Sequence, residues 1–127
     1  MTRASDTARL IGAGATINDG TTITTADNTT QLTLKSTDAD GSSGPLLDLT
    51  RDSGSPADGD VTGIIRFRAD NDAGEVTTTG QIVSLLNDAS DGTEDGEIKI
   101  ETMIAGSAQP RIDILPSETV FNEGSVD

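Results

Sequence analysis

The clearest hydrophobic pattern runs from Val61 to Met103. In Val61-Thr62-Gly63-Ile64-Ile65-Arg66-Phe67-Arg68, Ile65 and Phe67 alternate with Ile64, Arg66 and Arg68. In Glu97-Ile98-Lys99-Ile100-Glu101-Thr102-Met103, Ile98, Ile100 and Thr102 alternate with Lys99 and Glu101. A period of two is that of a half-buried strand, whose successive side chains point to opposite faces. Between these two lies Glu75 to Leu86, apolar but without alternation. The separators are Ala69-Asp70-Asn71-Asp72-Ala73-Gly74 and Asn87-Asp88-Ala89-Ser90-Asp91-Gly92-Thr93-Glu94-Asp95-Gly96. Both are turn chemistry, because Gly accepts positive φ and Asx side chains bond nearby backbone. The pattern predicts a three-stranded antiparallel meander.

The rest of the chain repeats this rhythm with less definition. Thr21–Thr25 is a short strand candidate. Gln31–Ser36 alternates with Leu32 and Leu34 on one face, and Pro45–Arg51 places Leu47 and Leu49 inward. Arg111–Leu115, with Ile112 and Ile114, and Thr119–Phe121 are two further strands, with Ala105–Pro110 and Pro116–Glu118 as turns. Strand-like runs at this spacing predict an all-β fold of short antiparallel strands in a sandwich or β-prism-like module. Before it, Thr2–Ile11 reads as a short helix, capped by Ser5 or Asp6 and stopped at Gly12. One such turn of helix is not stable alone in water, so its use is docking, through Leu10 and Ile11. The expected organisation is a 1–20 attachment segment with a Gly-rich joint, a 21–122 β-rich module and a 123–127 tail or start of a further segment.

Composition changes this picture in one respect. Ile, Leu, Val and Phe make up 27 of 127 residues, with no Trp, Tyr or Cys. That is barely enough to sustain a core. Thr, at 19 residues, favours strands without adding much apolar mass. A lone sheet with so little to bury is marginal, and oligomerisation supplies the missing burial. An intertwined oligomer is therefore expected. Its subunit-interface core would be Leu32, Leu34, Leu47, Leu49, Ile65, Phe67, Ile98, Ile100, Ile112, Ile114 and Phe121.

The net charge is −14, from 22 acidic and 8 basic residues. Nucleic-acid backbones demand clustered Lys and Arg, so neither nucleic acid nor anionic membrane is an expected partner. Acidic turns instead keep a Thr-rich β protein from pairing edge to edge. No apolar run reaches the length of a membrane span, and the opening residues carry no apolar leader core, so a soluble protein made in a cytoplasm is expected. With no His or Cys, Ser-His-Asp and Cys-His catalysis and His- or thiolate-held zinc are excluded. No phosphate-binding glycine motif occurs. A carboxylate pair as in glycoside hydrolysis is formally available, but among 22 acids some pair is inevitable, and sugar sites want aromatic platforms. An acidic depolymerase is therefore a weak alternative. Asp70–Glu75 and Asp91–Glu97 offer oxygen ligands for calcium without the twelve-residue spacing of a calcium loop, so they read as turns and no cofactor is expected. Arg66 and Arg68 would share a face, available to acidic loops such as Asp58 and Asp60 of a neighbouring subunit.

Several strings occur in order between Leu32 and Phe121: Leu32-Thr33-Leu34, Pro45-Leu46-Leu47-Asp48-Leu49, the Asp52–Asp60 loop, Gly63-Ile64-Ile65-Arg66-Phe67, Asn71-Asp72-Ala73-Gly74, Asp88–Gly96 and Thr119-Val120-Phe121-Asn122-Glu123. Together they resemble a module of tail-fibre and appendage proteins of tailed bacteriophages, especially marine and cyanobacterial ones. The resemblance covers about two thirds of the chain. It implies a non-enzymatic, homotrimeric, β-rich structural part of a virion that aids host adsorption. Its N-terminus, with Arg3, Arg9, Leu10 and Ile11, would attach to other virion proteins such as a tail adaptor, a nozzle or the capsid. The chain is shorter than a typical fibre and shows no distal receptor domain. A capsid decoration or head-fibre protein is thus a second expectation. A glycan- or receptor-binding module is a third, carried by the loops Asp38–Gly44 and Asp88–Gly96 and meeting a host surface receptor.

Overall fold

A computed structural model describes residues 19–122. The expected helix at Thr2–Ile11, with Arg3, Arg9, Leu10 and Ile11, lies outside them, as does the 123–127 tail. The chain divides into two units, Met1–Leu47 and Asp48–Asp127.

In the described part of the first unit there is no regular element. The strands expected at Thr21–Thr25 and Gln31–Ser36 do not form. Local side-chain bonds hold the backbone instead. Asp27 Oδ1 accepts from the Thr29 amide at 3.0 Å, Asp38 Oδ1 from the Asp40 amide at 3.2 Å, and Asp40 Oδ1 from the Ser42 amide at 2.7 Å. Each spans two residues, the local alternative that Asp offers to a ladder. Leu32 and Leu34 are exposed. Alternation gave them an inner face, but a strand needs a partner, and no described segment pairs with them.

The second unit holds one five-stranded antiparallel sheet in the order β1-β2-β3-β4-β5. Its strands are β1 (Asp60–Asp70), β2 (Val76–Asp88), β3 (Asp95–Ile104), β4 (Ser107–Ile114) and β5 (Thr119–Phe121). The fold class is thus all-β, and the described residues contain no helix. Of the sandwich or β-prism-like module expected, the described residues show one sheet. The segment Pro45–Arg51 forms no strand either, and Leu47 and Leu49 are exposed, not inward.

Each hairpin has a local cause. At β1–β2 the turn is organised by Asn71, whose Oδ1 accepts from the amides of Ala73 (3.0 Å) and Glu75 (2.9 Å). Gly74 takes φ +79°, which only glycine adopts without strain. At β3–β4, Ile104 pairs with Ser107, so the loop is two residues long. Both Ala105 (φ 46°) and Gly106 (φ 81°) are left-handed, the geometry of a type I′ turn that matches the twist of the strands.

The strap 48–59 closes one end. Arg51 bonds the Val61 carbonyl at 2.9 Å and the Asp60 carboxylate at 3.2 Å. The Gly59 amide donates to Leu86 O at 2.7 Å, and Asp58 Oδ1 accepts from the Ala89 amide at 2.9 Å.

Candidate functional site

Register places one residue from every strand in a single row: Ile65, Ile82, Ile100, Ile112 and Phe121. Paired residues share a face, so this row crosses the whole sheet on one side. The row beside it is Gly63, Ser84, Ile98, Ile114 and Thr119. On the other side come Phe67, Gly80, Thr102 and Gln109, then Ile104 with Ser107. These rows contain no carboxylate and no ammonium. The charge that reaches them is Arg111, displaced by the bulge in β4, whose Nε donates to Thr102 Oγ1 at 2.9 Å, and the row at the end of this face, Asp60, Leu86 and Gly96, holds one carboxylate, ion-paired to Arg51.

The opposite face holds most of the sheet's charges. One row is Arg66, Gln81, Glu101 and Pro110, and the next is Ile64, Val83, Lys99, Asp113 and Val120. Arg66 Nε donates to Gln81 Oε1 at 3.2 Å, and Gln81 Nε2 donates to Glu101 Oε2 at 2.5 Å. Lys99 lies 3.0 Å from Glu97. Asn122 Nδ2 donates to Asp113 Oδ2 at 3.0 Å, while the buried Oδ1 of Asp113 has no partner.

Exposure runs against the usual sense of an amphipathic sheet. Among the described residues the only buried apolar side chain is Val83, at 7 %, and it lies on the charged face. Glu97 is buried to the same extent on that face. The uncharged face is the open one, with Ile100 at 36 % exposure, Ile65 at 43 %, Phe67 at 58 % and Phe121 at 72 %.

Seven of the residues expected in a subunit interface therefore come together on one face: Ile65, Phe67, Ile98, Ile100, Ile112, Ile114 and Phe121. Leu32, Leu34 and Leu47 are in no strand of the sheet; Leu49 is in none either, but its side chain lies against Gly63 of this face. Ile82 and Ile104 belong to the face and were missed. Ile82 sits in a run apolar on both sides, and Ile104 follows Met103 at the edge of a turn; only register assigns them.

The expected docking of Arg66 and Arg68 onto Asp58 and Asp60 of a neighbour meets competition inside the chain. Arg66 bonds Gln81, Asp58 holds Ala89, and Asp60 holds Arg51 and the Ala57 amide. Of the loops considered for calcium, Asp70–Glu75 is organised as a turn by Asn71, whose Oδ1 caps Ala73 and Glu75, and Asp91–Glu97 follows a turn in which Asp88 Oδ1 caps the Ser90 amide at 2.8 Å. Among the described residues no group of three or more carboxylates is placed to hold a metal ion. Asp27 and Asp88 titrate below the usual aspartate value. The Thr29 hydroxyl and amide cause this at Asp27, and those of Ser90 at Asp88.

No protein-family model matches the chain, and neither a curated protein nor a solved structure matches it.

Proposed function

We propose that this chain is a structural, non-enzymatic component of a bacteriophage virion. In this reading it is a homotrimeric β-rich tail-fibre or fibre-base protein, attached to the particle by its N-terminal segment and aiding host adsorption. The observation that carries the proposal is the open uncharged face of a single sheet. A sheet with one apolar face must bury it against a second layer to be stable, and the described residues of the second unit supply only one layer. In a homotrimer the second layer comes from other copies, and the whole becomes a β-prism. The thin core, the absence of His and Cys, and the ordered strings that resemble phage appendage modules support the same reading.

Two measurements test it. Light scattering with size exclusion should give a mass near three times 13.0 kDa. A compact monomer overturns the trimer and favours a capsid decoration protein that is completed on the particle surface. Deleting Met1–Gly14 should leave the trimer intact but unable to join particles lacking this protein. A truncated chain that still incorporates rules out the N-terminal attachment.

A further inference from the structure

The distribution of charge across the sheet assigns the partner of the open face, and we infer that it is further copies of this same chain, packed uncharged face to uncharged face. This deepens the trimer proposed above and rests on it.

The argument begins with repulsion. Each chain carries −14, so copies brought together repel over roughly a Debye length, ~8–10 Å at ordinary ionic strength. They can associate closely only through a surface that brings no unpaired carboxylates together. The face built on Ile65, Ile82, Ile100, Ile112 and Phe121 is such a surface. The opposite face, with Glu97, Glu101 and Asp113, is not.

Chemistry also discriminates between partners. A basic partner, the natural complement of an acidic protein, would be met by carboxylates, and this face offers only Asp60, at its end opposite Leu86 and already held by Arg51. A face whose one acid is already paired suits a partner that is itself acidic, and a copy of the chain is one.

Size is adequate. Five strands at about 4.8 Å spacing and about seven residues at ~3.3 Å give roughly 500 Å² of sheet per copy. Two such faces bury about 1,000 Å², the lower limit for a specific interface. Around a threefold axis each copy meets two neighbours, which raises the total. Rows of branched Ile side chains interdigitate well at the ~10 Å separation of packed sheets. Arg111 lies near its rim, with Nε on Thr102 and its other guanidinium nitrogens able to meet a neighbour's backbone carbonyls.

Two substitutions and one reactivity measurement test the assignment. Ile100→Lys puts a charge at the centre of the face, and Ile64→Lys puts one on the opposite face. The inference expects Ile100→Lys to lose the oligomer and Ile64→Lys to keep it. Because Ile100→Lys can fail by unfolding, accessibility supplies an independent readout. The chain has no cysteine, so a single one can be introduced cleanly. A thiol reagent should modify Thr102→Cys, on the uncharged face, about tenfold more slowly than Glu75→Cys, in the β1–β2 turn, when the protein is concentrated. The two rates should converge on dilution to monomer. Raising the salt concentration should strengthen association, since it screens like charges and breaks no interfacial ion pairs.

If the wild-type chain is monomeric at every concentration, the trimer and this interface fall together. If the wild type is oligomeric but Thr102→Cys reacts as fast as Glu75→Cys, the oligomer stands and the assignment of the face is wrong. Weakening of association by salt would equally overturn it.

Discussion

The Lys99 ammonium lies 3.0 Å from the Glu97 carboxylate, two residues away on the same face of β3, and Glu97 is the most buried charged residue among those described. A buried carboxylate is tolerated when a cation and hydrogen bonds accompany it, and costs several kcal/mol when they do not. Lys99 also stands opposite Asp113, whose Oδ1 is buried without a hydrogen bond. Removing the lysine therefore strands two acids. Lys99→Met is expected to lower stability by about 1–2 kcal/mol, while Glu97→Gln costs less because a neutral amide is easier to desolvate. Combining the two should recover part of the loss, that due to Glu97, since Asp113 stays without the lysine. Urea midpoints at fixed protein concentration read all three, and additive losses in the double variant would show that the pair is not coupled.

The β3–β4 turn holds the one non-glycine residue with positive φ in the described chain, Ala105 at 46°. An alanine there suffers the contact between Cβ and the backbone that disfavours left-handed geometry, at about 1 kcal/mol. Asn and Gly are the residues type I′ turns prefer at this position. Ala105→Asn and Ala105→Gly are each expected to raise stability by about 0.5–1 kcal/mol, whereas Gly106→Ala, at φ 81°, should lower it by a similar amount. Thermal midpoints check the signs. Both Ala105 variants melting below wild type would mean that the turn adopts another geometry in solution.

What the sequence disclosed of this sheet, and what it concealed, follows from where a local signal existed. The segments around Ile65, Ile98 and Ile112 were legible because alternation and Asx/Gly turns are encoded within a few residues. The start of β4 was not, since Gly106 and Pro110 look like one long turn. Pro110 is accommodated because β5 covers only Ile112–Ile114, which leaves it on an edge-like stretch beside a bulge, the setting where proline is tolerated. Leu32 and Leu34 alternate as well as Ile98 and Ile100 do, yet they form no strand. Alternation states which faces a strand would have, not whether a partner exists. The uncharged face was half legible for the same reason. Ile65, Phe67, Ile98 and Ile100 announce their side by alternation, whereas Ile82, between Gln81 and Val83, is assigned only by its register against Ile65 and Ile100.

Asp88, at the end of β2, anchors the β2–β3 loop, and its carboxylate is held below the usual aspartate range by the Ser90 hydroxyl first and the Ser90 amide second. Both bonds favour the ionised form. The folded value lies below the unfolded one, so the stabilisation is full above the unfolded value, about pH 4, and is lost as pH falls through the depressed folded value. The carboxylate is solvent-exposed, so the expected effect is local. Followed by carboxyl NMR, Asp88 should titrate below an ordinary aspartate. In Ser90→Ala it should move up toward the ordinary value while keeping part of its shift, because the amide still donates. Asp27 gives an internal comparison, since Thr29 acts on it in the same way and Ser90→Ala should leave it unmoved. Any deficit in thermal midpoint of Ser90→Ala near neutral pH should shrink as the solution is acidified through this range. A deficit that persists unchanged in acid would assign the role of Ser90 to loop packing, not to the Asp88 carboxylate.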